Sequence, residues 1–256
     1  MLTWAYKKIS FGKVAIMKYG IQMYSLRDIT GSDMKGALRA VAEMGYKTVE
    51  FAGFFGIDAK DIKAMLDEYG LTCVSTHTGL DEIKNNYADT LRYMEAIGNR
   101  DIIIPFTNPA NQSEIDEIIS SINELEPKLR NDGFKLAYHN HSHEFIPNSD
   151  GSMIHQQLED KTNVLFEIDT YWAFNANIDP IAILDRLKNR ITHIHLKDGI
   201  ENGQGRSLGS GIAPVAAVRD YAIKNDLEII VESETCSPTG IDEVKRCIDY
   251  LHSLDK

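Results

Sequence analysis

Phe134-Lys135-Leu136-Ala137-Tyr138-His139-Asn140-His141-Ser142-His143-Glu144-Phe145 begins as an apolar strand pattern and ends in imidazoles and a carboxylate. The two-residue alternation of a strand puts His139 and His141 on one face, with Asn140 and Ser142 on the other. Imidazole and carboxylate ligate borderline divalent cations, and they are also the usual proton carriers near neutral pH. A strand that delivers such groups at its C-terminal end suits a fold whose strand ends all open onto one face. Whether the other strands end the same way decides the architecture.

They do. Short β-rich runs recur at Gly20–Ser25, Thr48–Phe51, Leu71–Thr76, Asp101–Pro105, Phe134–His139, Val164–Asp169, Ile191–Leu196 and Leu227–Glu232. Between them lie segments with apolar residues at helical spacing, such as Leu38-Val41-Met44 and Ile115-Ile118-Ile119-Ile122-Leu125. Ser32 or Asp33, Asp58 and Ser113 are expected N-caps, and Gly70 and Gly98 expected stops. Eight alternating units without a linker or charge block predict an α/β fold, a single (β/α)₈ TIM barrel, and 256 residues suit that size. No GxGxxG or Walker A pattern follows the first strand, so nucleotide-cofactor folds lose ground.

In such a barrel the loops after the strands form the active face. Gln22 and Tyr24, Glu50, His77, the histidine run, Glu167 and Asp169, His193 to Lys197, and Glu232 with Glu234 all stand at strand ends. Asp169 closes an otherwise apolar strand, and Glu167 shares its parity one layer deeper, as a buried supporting partner. Of the three polar residues on one face of the seventh strand, His195 is the expected ligand. Lys197 is the expected electrostatic or substrate-binding group, and His193 is structural. Burying Glu232 is costly unless it meets a cation or a donor. Glu144 either turns back into the mouth as a general base or pairs at the surface. The glycine-rich Gly205-Arg206-Ser207-Leu208-Gly209-Ser210-Gly211 offers weak support for phosphate binding through its amides. Trp172 and Tyr24 are expected walls for a sugar ring.

Composition narrows the partners. With 27 basic and 38 acidic residues the formal charge is −11, which opposes nucleic-acid or anionic-membrane binding. Cys73, Cys236 and Cys247 are scattered without CxxC spacing, which fits a reducing cytoplasm. Met1 to Ile16 carries lysines and no continuous apolar run, so it reads as neither signal nor anchor. Met17-Lys18-Tyr19-Gly20 leads into the first strand, so residues 1–16 are expected to be an extension and 17–256 the barrel. Ordered packing of Trp4 and Phe11 on the barrel would oppose that division.

Gly20-Ile21-Gln22-Met23-Tyr24-Ser25-Leu26-Arg27-Asp28, the Tyr138–Phe145 run, Asp169-Thr170-Tyr171-Trp172, His193-Ile194-His195-Leu196-Lys197-Asp198, Leu208-Gly209-Ser210-Gly211 and the Glu232 strand together resemble the sugar phosphate isomerase/epimerase family with the xylose isomerase-like barrel, of the AP endonuclease 2 superfamily. The resemblance runs from about Met17 to the C-terminus. It implies a divalent cation, Mn²⁺, Zn²⁺ or Co²⁺ with Mg²⁺ as a further candidate, held by groups from strands five to eight. It assigns Asp169, His195 and Glu232 to the last three, and puts His139 where related barrels carry a glutamate. The fourth ligand therefore stays open among His139, His141 and Glu144. The implied reaction is isomerisation or epimerisation of a sugar, sugar phosphate or keto-sugar, by proton abstraction next to a carbonyl through an enediolate. Glu232, His141, Glu144 and Lys197 are the candidate catalytic groups; Gln22, Tyr24, Glu50, His77, Trp172 and Arg206 are the candidate substrate contacts. A keto-sugar or inosose dehydratase is the alternative, and a catalytically silent sugar-binding subunit is the alternative of another class. A DNA-repair nuclease is disfavoured because Trp172 stands where a zinc-ligating histidine is required. The expected partner is a small sugar, with homo-oligomer formation left open.

Overall fold

The computed structural model describes residues 18–256. The expected boundary at Met17 and the packing of Trp4 and Phe11 lie outside the described residues. Eight parallel strands close into a barrel in sequential order. They are β1 (Gly20–Gln22), β2 (Thr48–Phe51), β3 (Thr72–His77), β4 (Asp101–Ile104), β5 (Lys135–His139), β6 (Leu165–Asp169), β7 (Ile191–Leu196) and β8 (Glu228–Val231). β1 pairs with both β2 and β8, which leaves no edge strand. The expected strands are all present, to within a few residues at their ends.

Alternation along each strand sorts the side chains into two sets. Ile21, Val49, Ile102, Ile104, Phe166, Ile168, Ile194 and Leu196 are fully buried in the apolar cluster shared with the surrounding helices. Their neighbours Gln22, Glu50, Ser75, Glu167, Asp169 and His195 are equally buried, yet polar. The barrel interior is therefore an ionisable network. Register then lines its members up: His139 pairs with Glu167, Asp169 with His195, and His195 with Ile230.

Asp33 caps the Met34–Met44 helix through Gly36 N at 2.8 Å, while Gly70 and Gly98 end theirs in the left-handed conformation. Asp58 occupies an N-cap position without a side-chain cap bond. Ser113 is not a cap. The helix Gln112–Asn131 starts at Asn111, which accepts Glu114 N at 3.2 Å, while Glu114 reaches back to Ala110 N at 2.7 Å. That reciprocal pair satisfies two end amides, so the helix starts earlier than Ser113 would allow.

The segment after β7 forms a short antiparallel ribbon, Asp198–Gly199 against Gly205–Arg206, which the sequence pattern did not announce. Its glycine-rich continuation folds onto the Asp198 carboxylate, which accepts the amides of Gly199 at 2.8 Å, Gly209 and Gly211 at 2.9 Å, and Ala213 at 3.1 Å. A Cβ at Gly211 would lie 2.2 Å from Asp198 Oδ1, so glycine is required there for close approach. Amides bound to a buried carboxylate are not available to a phosphate, which removes the expected phosphate reading of this loop. Among the described residues no helix is long and apolar enough to cross a membrane.

Asp198→Ala should leave several inward amides unpaired and destabilise the protein by about 3 kcal/mol. Urea unfolding measures this directly, and a loss under about 1 kcal/mol would show that the loop does not depend on this carboxylate.

Candidate active site

The lower layer of the polar interior is organised by Glu50. Its Oε1 accepts Gln22 Nε2 at 2.6 Å and His195 Nε2 at 2.7 Å, and its Oε2 accepts Ser75 Oγ at 2.5 Å. His77 Nε2 lies 2.9 Å from Glu167 Oε2 and 3.1 Å from Glu50 Oε1. Burial alone would raise Glu50, but His77 and His195 outweigh it and hold the carboxyl well below its usual range. Glu167, pushed up by burial and by the Glu50 charge, rises to about 8. His77 is disfavoured as a cation by burial, yet Glu50 and Glu167 raise it to about 10. Two carboxyls this close do not both ionise easily, so one is charged and one keeps its proton.

Above this layer stand His139, Asp169, His195 and Glu232, each offering a ligand atom within 4.8 Å of the others. Asn140 fixes Asp169 by donating to its carbonyl and accepting its N–H, both at 3.1 Å. Asp169 Oδ1 accepts Trp172 N at 2.8 Å, while its Oδ2 is buried with no hydrogen-bond partner. His195 Nδ1 is likewise buried and unpartnered, 3.4 Å from Glu232 Oε2. Burial and the Glu232 charge raise Asp169 to about 7. Glu232 is itself held low, because Lys197 and His195 overcome its burial.

These residues suit a divalent cation. Orphaned buried polar atoms are costly unless something pairs them, and two nitrogen donors with two carboxylates match borderline metals. Glu50 binds the far nitrogen of His195, which leaves Nδ1 for coordination, the usual arrangement of a metal-binding histidine and its supporting carboxylate. A second convergent set, His77, His139, Glu167 and His195, shares His139 and His195 with the first. There His77 and His195 already use their Nε2 atoms on Glu50 or Glu167, so this set reads as the supporting layer.

Lys197 is 1 % exposed and donates to Glu232 Oε2 at 3.2 Å and to Glu234, with Asp169 Oδ2 at 3.8 Å. Its ammonium also sits 4.5 Å from the Trp172 ring centre, a cation–π contact. It is a built-in counter-charge for the upper carboxylates.

A cavity of about 540 Å³ opens above them, walled by Tyr24, Phe106 and Trp172 and reaching His77, His139, His141, Glu232 and Glu234. Burial, then the Lys197 charge, lowers His141 to about 4, so its imidazole is neutral at pH 7. Tyr24, His77, His139, His141, Trp172 and Glu232 thus meet at one cavity. Asp169, His195 and Lys197 belong to the same network.

Besides Asp169, His195 and Lys197, four expected residues do not line the cavity. Gln22 and Glu50 are fully buried supports in the lower layer. Glu144 accepts Tyr138 Oη at 3.0 Å and His141 N at 2.8 Å, so both oxygens close the turn that carries His141. Arg206 donates to Gln204 Oε1 at 3.2 Å and to Gly205 O at 2.9 Å on its ribbon. Conversely, Pro105, Phe106 and Gly53 line the cavity without having been expected to. An aromatic directly after β4 was the available signal, by the same strand-end rule.

The family model for the xylose isomerase-like TIM barrel matches residues 38–254. The chain belongs to that family. It is 24 % identical over 186 residues to an inosose dehydratase of Geobacillus kaustophilus, covering 63 % of this chain and 60 % of that protein. It is 23 % identical to an inosose dehydratase of Mesomycoplasma hyopneumoniae over 98 % of both chains. A solved sugar phosphate isomerase/epimerase from Parabacteroides distasonis superposes with a TM-score of 0.79 at 24 % identity, over 93 % of this chain and 95 % of that one. The last likeness shows the fold.

Lys197→Met should destabilise the metal-free protein by about 3 kcal/mol at pH 8, because it leaves buried carboxylates without their ammonium. As pH falls through about 7, Asp169 takes up a proton and the cost shrinks. Unfolding curves at pH 8 and 5.5 test this; an equal loss at both would contradict the pairing.

Proposed function

We propose that this protein is a divalent-cation-dependent enzyme that moves a proton next to the carbonyl of a sugar or keto-sugar, giving isomerisation or epimerisation. The observation that supports this most strongly is the orphaned pair Asp169 Oδ2 and His195 Nδ1 beneath an aromatic-walled cavity. His139, Asp169, His195 and Glu232 would hold the ion, with Mn²⁺, Zn²⁺ or Co²⁺ matching the mixed donors better than Mg²⁺. When bound, such a cation polarises the carbonyl and stabilises the negative charge that develops as the neighbouring C–H proton leaves.

The chain's own groups supply the proton acceptor. Glu232, held anionic by Lys197 and His195, and His141, kept neutral, both face the cavity. Glu144 acts through His141, by holding the turn beneath it. Trp172 and Tyr24 offer flat apolar faces to a sugar ring, and Glu234 offers a carboxylate at the rim.

The relatives named as inosose dehydratases favour a second outcome from the same first step. After proton loss, the β carbon–oxygen bond breaks and hydroxide leaves with a proton as water. Incubation of candidate keto-sugars in D₂O, followed by NMR, separates the two. Deuterium at the α-carbon with retained skeleton supports isomerisation or epimerisation, whereas a new C=C with water loss supports elimination.

Asp169→Ala and His195→Ala should each abolish turnover and reduce bound metal, measured by elemental analysis, to background. Undiminished activity in either variant would sink the assignment.

Cation affinity should also fall as pH drops below about 7, because the proton on Asp169 must leave before it ligates. Calorimetric titration with Mn²⁺ at pH 6 and 8 reads this out, and equal affinities would contradict a role for Asp169.

A further inference from the structure

A second cavity, of about 460 Å³, adjoins the first and shares Gly53 and His77 with it. It lies between the loop after β2 and the helix Tyr87–Ile97. Phe54, Phe55 and Tyr93 give it aromatic surface, with the Phe54 and Tyr93 ring centres 4.3 Å apart. Asn86, Thr90 and Glu82 give it amide, hydroxyl and carboxylate groups. Among the described residues neither cavity is lined by lysine or arginine.

The junction is open at Gly53. Its φ is +98°, and a Cβ built there meets nothing within 4 Å. Phe55, at φ +53°, is 55 % exposed, an unusual cost for an aromatic residue in a left-handed conformation. Such strain is kept where the surroundings or a ligand use it.

Flat rings beside neutral and acidic hydrogen-bonding groups fit an uncharged polyhydroxylated ring; with no lysine or arginine in the lining and the His77 ring already engaged by Glu50 and Glu167, a phosphate finds no free cation there. We propose that this neighbouring cleft binds a second, uncharged sugar unit of the substrate, attached to the ring that reacts in the main cavity. The proposal rests on the sugar reading above. It makes the preferred substrate a neutral glycoside, longer than one ring, rather than a sugar phosphate.

Saturation-transfer NMR and titration of the full-length protein with glucose, galactose, maltose, cellobiose, lactose and glucose 6-phosphate test it. At least one disaccharide should bind about tenfold or more tightly than its monosaccharides, and glucose 6-phosphate no better than glucose. Phe55→Gly suits the left-handed backbone and removes the wall; Asn86→Ala is an independent second variant. Each should bring the disaccharide down to monosaccharide affinity and leave monosaccharide binding unchanged. Equal binding of one-ring and two-ring sugars, tighter binding of the phosphate ester, or disaccharide affinity unchanged in both variants overturns the subsite alone. No response from any sugar overturns both the subsite and the sugar reading.

Discussion

The hydrogen bond from His195 Nε2 to Glu50 Oε1, 2.7 Å long and fully buried, is the constraint on which the rest of the interior depends. It ties β2 to β7 across the barrel and fixes which imidazole nitrogen faces the cavity. Glu50 is itself held by Gln22 and Ser75, so neighbouring strands contribute to the aim of one ring. A barrel that places four carboxylates, three imidazoles and an ammonium near its axis needs this order. Without paired geometry, each ion would face a desolvation cost of several kcal/mol. The network also explains why the apolar core lies outside the strands, between barrel and helices, rather than within.

Strand five is where this chain departs from a simple carboxylate set. His139 is neutral in its surroundings, because burial and the neighbouring His195 and His77 charges lower it well below its usual range. Replacing an anionic donor with a neutral one makes the upper layer less negative. Lys197, with His195 at Glu232, then balances Asp169, Glu232 and Glu234. The two features are complementary: a neutral His139 and a permanent ammonium would both moderate the charge that a cation met there.

Much of this was legible in the sequence. Strand-end position singled out Asp169, His195 and Glu232, the family resemblance grouped them, and the cost of burying Glu232 pointed to a cation or a donor. Glu167 was rightly placed one layer deeper. The rest depended on tertiary partners. Glu50 and Gln22 stand at strand ends like substrate contacts, yet they bond each other, and Glu50 also bonds His195 and Ser75, so both are used inside the barrel. Glu144 was ambiguous because a turn can aim its side chain either way, and Tyr138 settles it from the adjoining strand. The glycine-rich loop mimics an anion site until Asp198 is seen to hold its amides. Ser113 lost the helix start because Asn111 accepts the Glu114 amide and Glu114 accepts the Ala110 amide.

Anomalous diffraction from crystals of the full-length protein grown with Zn²⁺ or Co²⁺ tests the cation site directly. One strong peak per chain is expected, about 2.0–2.2 Å from His139, Asp169, His195 and Glu232, with His195 binding through Nδ1 and still bonded to Glu50. A peak among His77, Glu167 and the lower nitrogens, or no peak at saturating metal, would contradict that site.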